Sequence, residues 1–388
     1  MKSKRLLVLT LLSLLMTGCM SQSPSGEDKR GTVIESEDGL SLQVTDMQNR
    51  SFTISKAKRE RVICIGAGAL RYYSYVGDVT KLVGVEEIDS ATTFGVGQTV
   101  RPYYMANYET FSTLRVIGKG GPAAQVADTE KITAAEPDVV VSFLSADANS
   151  ELAATIQTPV IGLAQGSDGV FDSTTQKSLM MLGKIFDRET RANELINYVN
   201  TCKNDFANLQ MTTETYYVGG IGNWGNTSLY GSFKKFPVLK YAKVKSAIDD
   251  TDFFDKDGKI IPAGQVTVDM DKLQGVNPDK IFLDTGGLNG FKADYAIAEN
   301  KVKYDGLKAF ENNETYLLMP YNAYYSNLEI QLMSTYYVAS VAHSEFTLDL
   351  EAKMNEITNK FLGKNLYNEI KSHSLGLGGY QKVDIRTL

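Results

Sequence analysis

From Thr190 to Leu209, apolar residues recur at Ala192, Leu195, Ile196, Val199, Cys202, Phe206 and Leu209. That period of three to four predicts an amphipathic helix with one buried stripe on an otherwise polar surface. A first helical piece is expected just upstream, because Ser173 and Gln176 have the spacing of a capping box, in which a hydroxyl and an amide satisfy free backbone donors. A break near Gly183 to Arg188 separates the two pieces, with Asp187 as the expected cap of the second. The second piece would make a rod of roughly 30 Å, about the width of a small domain and long enough to bridge two.

A similar phrase stands on each side of this rod. Ile132 to Phe143 and Leu273 to Asp284 each read as a helix end, a Pro-Asp turn (Pro137-Asp138 and Pro278-Asp279) and an apolar run. The proline stops the helix, and the short apolar run suits a strand buried on both faces of a parallel sheet. One such phrase is common in any α/β protein. Two of them around a long helix predict two α/β lobes with parallel sheets, the N-terminal one over residues 40–170 and the C-terminal one over 213–388, joined by an interlobe helix within 171–212. Leu40–Asp46 and Arg50–Ser55 alternate around a polar turn and read as a hairpin. Arg61–Ile65 reads as a strand that passes through Gly66 and Gly68 into a helix, and Leu82–Glu86 as the next strand.

The N-terminus changes the picture of where the chain resides. Lys2, Lys4 and Arg5 precede an apolar run from Leu6 to Met16, too short to span a bilayer but suited to a secretory signal. The run ends in Met16-Thr17-Gly18-Cys19, which resembles a bacterial lipoprotein signal, with Met16 where that motif prefers leucine. Residues 1–18 are then the signal peptide, and Cys19 carries the lipid that anchors the protein to the outer face of the cytoplasmic membrane. An ordinary signal peptide with an incidental cysteine is the alternative. The stretch to Gly39 is rich in Ser, Pro, Gly and charge, and is expected to be a flexible tether over 19–39. Beyond Cys19 only Cys64 and Cys202 remain, both at apolar positions, so no disulfide framework is expected. The net charge of −6 argues against a nucleic-acid partner, which calls for a basic face.

Several further phrases, taken in order, resemble the substrate-binding lipoproteins of ABC importers for ferric siderophores, heme and cobalamin. They are the hairpin ahead of Arg61, Gly66-Ala-Gly68-Ala-Leu-Arg71, Lys81-Leu-Val-Gly-Val-Glu-Glu87, Arg101-Pro-Tyr-Tyr104, Val116-Ile-Gly-Lys-Gly-Gly121 and the Pro137-Asp138 strand. In the second half they are Tyr217-Val-Gly-Gly-Ile-Gly222, Pro278 to Asp284 and Met319-Pro-Tyr-Asn322. The resemblance covers nearly the whole mature chain. It implies two Rossmann-like lobes joined by a single long helix, a ligand held in the cleft between lobes that close only modestly, a monomeric receptor, and an ABC permease with its ATPase as partners. It also implies one acidic residue on each lobe for docking to the permease. Glu130, in Asp128-Thr-Glu130, fits that position in the first lobe, whereas Phe236 to Lys240 shows lysine where the second lobe usually has an acid.

The glycine loop has a rival reading as a dinucleotide fingerprint, with Glu86 at the end of the next strand, but bulky Arg71 stands where the third glycine belongs. The loop should still present a helix N-terminus to the cleft, with Arg71 at its mouth, an arrangement that suits an anion. Aromatic residues crowd the loops at the carboxyl ends of the predicted strands, where open α/β sheets bind ligands. They are Tyr72 and Tyr73 after Arg71, Tyr103 and Tyr104 after Arg101, Trp224 and Tyr230 in a Gly- and Asn-rich stretch, and Tyr321, Tyr324 and Tyr325 after Pro320. Tyrosine and tryptophan offer flat faces for planar groups, and arginine adds paired donors for carboxylate or catecholate oxygens. Arg71 and Arg101 are the residues expected to hold an anionic cargo, and each tyrosine alone could instead pack against a neighbouring helix.

With His343 and His373 as the only histidines, a bare-metal site of several imidazoles cannot be built, and His343 is expected to be structural. No cofactor is expected, and the cargo should arrive chelated as a ferric complex, a siderophore first, with heme or a corrinoid as alternatives. No nucleophile motif supports catalysis, so the chain reads as no enzyme. An extracellular enzyme or surface adhesin is the alternative from another class, and it need not be encoded beside a permease and an ATPase.

Overall fold

Each Pro-Asp phrase feeds a central strand of its own parallel sheet. The computed structural model describes residues 28–90, 100–120, 127–222, 228–373 and 379–388; the signal run, Cys19 and Trp224 lie outside the described residues. Strands β4 (Val62–Ile65), β5 (Leu82–Gly84), β6 (Val139–Ser142) and β7 (Val160–Gly162) follow a three-stranded antiparallel sheet of β1 (Thr32–Glu35), β2 (Ser41–Thr45) and β3 (Ser51–Ser55). The four form a parallel sheet in the order β5-β4-β6-β7. The second lobe contains β8 (Thr215–Gly219), β9 (Gly231–Lys234), β10 (Lys245–Ser246), β11 (Gly264–Thr267), β12 (Lys280–Asp284), β13 (Thr315–Leu318) and β14 (Gln381–Lys382). Its main sheet runs β10-β8-β12-β13-β14, parallel except for β14 at the edge, while β9 and β11 make a separate antiparallel ribbon.

The repeated phrase has one job in both lobes. Asp138 Oδ2 accepts the amides of Glu60 and Arg61, each at 3.0 Å, just before β4, and Asp279 Oδ2 accepts the amide of Thr215 at 2.7 Å, the first residue of β8. The proline ends the preceding helix, and the aspartate then ties the head of its own strand to that of its neighbour. Every residue of β4, β6 and β7 is buried, as the unbroken apolar runs require when helices cover both faces.

The expected tether is shorter than read. Thr32–Glu35 is a strand paired with β2, because Val33 and Ile34 bring β-branched side chains to an edge that would otherwise stay open. This small sheet is pinned to the first lobe through Asp46, which is fully buried. Its Oδ1 accepts the amides of Gln48 (2.9 Å) and Arg50 (3.0 Å), and its Oδ2 accepts the Gly162 amide (2.9 Å) and the Arg50 guanidinium (2.5 Å). An Asp46→Ala variant leaves these donors without their anion and is expected to lose about 3 kcal/mol of unfolding free energy in urea titrations.

The central helical segment is broken where the pattern placed a break, into Ser173–Ile185 and Glu189–Asp205. Two cap assignments are corrected. Asp172, not Ser173, caps the first helix by accepting the Thr174 amide at 2.8 Å. Asp187 does not cap the second; it sits at φ 53° in the sharp turn and pairs with Arg59 at 2.7 Å, and Arg188 occupies the cap position. The turn folds the two helices onto each other so closely that a side chain at Gly183 would lie 2.7 Å from the Ala192 methyl.

All N-lobe strands precede this segment and all C-lobe strands follow it. Packing between the lobes is wider than one strut, however. C-lobe helices Leu328–Ala342 and Leu350–Leu362 return over the first lobe, whose helices include Ala69–Val76 and Pro102–Phe111, and one apolar core runs from Val62 and Tyr75 through Phe206 to Phe282 and Tyr336. Arg191 in the second central helix donates to Tyr75 O in one lobe and Phe361 O in the other, both at 3.0 Å. Among the described residues no helix is long and apolar enough to cross a membrane.

Candidate ligand site between the lobes

Helix Ala69–Val76 starts from Gly68 at φ 96°, a conformation open to glycine at no steric cost, and presents its N-terminus toward the second lobe. The anion that meets this end belongs to the protein itself: Glu86, one residue past the β5 edge bridge, accepts the Gly66 amide through Oε1 at 3.1 Å. Its Oε2 accepts the hydroxyl of Tyr324 from the second lobe at 2.5 Å. Burial pushes the Glu86 carboxyl up to about 7, with the Tyr324 hydroxyl and Gly66 amide pulling the other way.

Arg71 is not at the cleft mouth. It is fully buried, and its guanidinium donates to Ala323 O (2.6 Å), Tyr324 O (3.0 Å) and Asn327 Oδ1 (2.8 Å), all on the second lobe. Arg101 is also spent, on Asp89 at 2.6 Å and on Ile88 O, with its guanidinium over the Tyr104 ring. The expectation that these two heads hold an anionic cargo is therefore corrected. A buried guanidinium must satisfy its donors within the protein, and acceptors lay within reach.

Most of the expected tyrosines are packing residues. Tyr72, Tyr73, Tyr103 and Tyr104 are each at most 1% exposed. Their hydroxyls donate to Gln165 Oε1, Asp78 O, Asp89 Oδ1 and Ser90 O respectively. Tyr230 stacks on Tyr304 in the second core of the C-lobe, and Tyr321 is buried edge-on to Phe236. These corrections share one reason: a ring packed in the core removes more apolar area from water than one left at the cleft wall. Tyr324 and Tyr325 are different. They follow one another at φ 54° and 77°, rare for bulky residues, and Tyr325 is 39% exposed with its ring 5.3 Å from Phe143 of the first lobe.

At another place between the lobes lies a cavity of about 450 Å³, lined by Ser167 and Asp168 of the first lobe and by Phe233, Lys235, Lys240 and Asp249 of the second. Lys240 pairs with Asp168 across it at 2.5 Å, and Tyr241 donates to the same carboxylate at 2.9 Å. Lys235 is exposed and, among the described residues, enters no ion pair; its amide donates to Asp249 at 2.7 Å. Phe143, Phe233 and Lys235 were not singled out in the sequence. Phe143 ends the first Pro-Asp phrase, a position that could have marked it, whereas Phe233 lies on, and Lys235 directly after, a ribbon strand that carries no periodic signal. His343 is structural, its Nε2 2.8 Å from Ala242 O, and the side chain of His373 lies outside the described residues. Glu130 is exposed in the first turn of helix Thr129–Ala134.

Residues 62–208 match the sequence profile of the periplasmic binding protein family. No curated protein matches the chain in sequence. Solved structures share its fold. A periplasmic solute-binding protein of Veillonella parvula is 15% identical with a TM-score of 0.62, covering 86% of this chain and 97% of that one. The molybdate-binding protein MolA of Haemophilus influenzae is 14% identical with a TM-score of 0.60, covering 83% and 98%. The petrobactin-binding protein YclQ of Bacillus subtilis is 15% identical with a TM-score of 0.52, covering 82% and 99%. Residues 62–208, the first lobe and the central helices, thus carry the sequence signature of the periplasmic binding protein family, and the solved structures share the chain's α/β fold.

Proposed function

We propose that the protein is an extracytoplasmic receptor, anchored by a lipid on Cys19, that captures a chelated iron complex between its lobes and hands it to an ABC permease and its ATPase. A ferric siderophore is the first ligand class, with heme or a corrinoid second. No covalent chemistry is involved, and the receptor acts as a monomer. Glu130 is the docking residue of the first lobe; Lys240 pairs with Asp168, so the second lobe docks through another group. The observation that carries the ligand class is the meeting of Tyr325 and Phe143 from opposite lobes, with Tyr325 partly exposed. Aromatic faces suit the planar parts of catecholate, heme or corrin ligands. Because Arg71 and Arg101 are spent, Lys235 is the cation assigned to an anionic ligand.

A thermal-shift panel of the soluble domain from Gly31 tests this, with ferric catecholate, hydroxamate and carboxylate chelates, hemin, cyanocobalamin and molybdate as probes. A ligand at a hundred times its Kd stabilises the folded state by about 2.7 kcal/mol. One iron chelate, hemin or cyanocobalamin should raise the melting point, and a ferric complex should quench tyrosine fluorescence. A shift with molybdate alone, or with no probe, overturns the chelate reading.

A further inference from the structure

Residues Tyr321–Asn327 hold a conformation that their own sequence does not favour. Two successive tyrosines in the left-handed region are costly, and such strain persists only where surroundings enforce it. The enforcing groups come from the other lobe. Arg71 takes the carbonyls of Ala323 and Tyr324 and the side chain of Asn327 in one fork, and Glu86 takes the Tyr324 hydroxyl. From within the C-lobe, Asp284 Oδ2 accepts the Tyr321 amide at 2.8 Å, and Asn327 Nδ2 donates to Pro320 O at 2.9 Å. The segment is thereby held over Gly68, where an added Cβ would lie 2.9 Å from the Tyr325 ring. Glycine at this position is what lets the ring approach the helix start.

We propose that Arg71, and Glu86 acting through Tyr324, are positioning residues that clamp Tyr321–Asn327 onto the first lobe and hold the Tyr325 ring at the cleft wall beside Phe143. This rests on reading the space between the lobes as the ligand site, and it gives Arg71 a role different from direct contact with an anion. A receptor clamped this way meets its ligand with the aromatic wall already ordered, so less conformational entropy is lost on binding.

The test needs no ligand. Hydrogen exchange is followed at the Ala323 and Asn327 amides, which donate to Tyr325 O and Tyr321 O, and fluorine NMR follows Tyr325 in fluorotyrosine-labelled protein, the resonance assigned by its loss in Tyr325→Phe. Tyr324→Phe, which removes one hydroxyl, and Arg71→Lys, which keeps the charge but not the fork, should each raise exchange at both amides roughly tenfold. The Tyr325 resonance should move toward its unfolded position, while in Tyr324→Phe exchange in β4 stays as in the parent; in Arg71→Lys, β4 exchange reports the accompanying loss of global stability. Unchanged exchange in Tyr324→Phe, or a rise matched by an equal rise in β4, overturns the clamp. Its failure leaves the ligand panel untouched, and failure of that panel leaves the clamp standing.

Discussion

An Arg71→Ala variant is expected to lose about 3 to 5 kcal/mol of unfolding free energy, the range for breaking a buried, hydrogen-bonded charge network. The loss has three sources. Two backbone carbonyls, one of them only part-buried, and the buried Asn327 side-chain oxygen lose their donor. The guanidinium also lies 4.7 Å from the centre of the Tyr103 ring, a cation–π contact that alanine cannot make. Finally, the fully buried Glu329 accepts the Tyr75 hydroxyl and loses the nearby positive charge. Burial pushes its carboxyl up, and Arg71 is the first influence pulling it back. Urea titration of parent and variant at one pH measures the difference. A change below about 1 kcal/mol would mean that the network is dispensable. Arg71→Lys should fall between the two, because a point charge replaces the fork without its geometry.

Stability should also fall as pH rises from about 4 through 7, carried chiefly by Glu86 and Asp284. Burial pushes each of these carboxyls up to about 7, from ordinary values of 4.5 and 3.8; the amides of Tyr321 and Gly286 pull Asp284 back. Between those limits the folded state holds protons that the unfolded chain has released, so raising the pH favours unfolding. Their contribution is fully present below the unfolded pKa values and is lost as pH passes the folded ones. At 1.36 kcal/mol per unit, each carboxyl accounts for about 3 to 4 kcal/mol at most. Asp89 and Glu329, also raised by burial, act in the same direction. Glu314, held down to about 2 with help from the Lys382 and Lys280 ammonium groups against burial, matters only in more acidic solution. Urea midpoints measured from pH 5 to pH 8 should decline, and Glu86→Gln combined with Asp284→Asn should flatten the decline. A flat profile in the parent would remove the assignment.

The physical consequence for capture is that the lobes meet as a partly joined pair. The second lobe reaches across through Tyr324, Tyr325 and Asn327 on one side and through Lys240 and Gln331 on the other, where Gln331 Oε1 accepts the Val170 amide at 2.9 Å. Large rigid-body closure would have to break these contacts. On the proposed reading, ligand selection falls to side chains along the existing space, Tyr325 with Phe143 at one place and Lys235 at the other.

What the sequence alone determined was everything governed by neighbours close in the chain. The apolar period of the central helices, the break between them, the hairpin Ser41–Ser55 and the two Pro-Asp strands depend on spacing and turn chemistry, and all are present. The buried thiols Cys64 and Cys202 likewise follow from their apolar positions. Only the tertiary structure decided which polar groups reach the cleft. Arg71 and Tyr324 are 253 residues apart, and no local pattern reports that one guanidinium will find two carbonyls so distant. The same holds for Arg101 with Asp89, whose pairing depends on how the helix at Pro102 lies against the loop after β5. A charged or aromatic residue in a loop has several ways to satisfy itself, and burial by a distant segment selects among them.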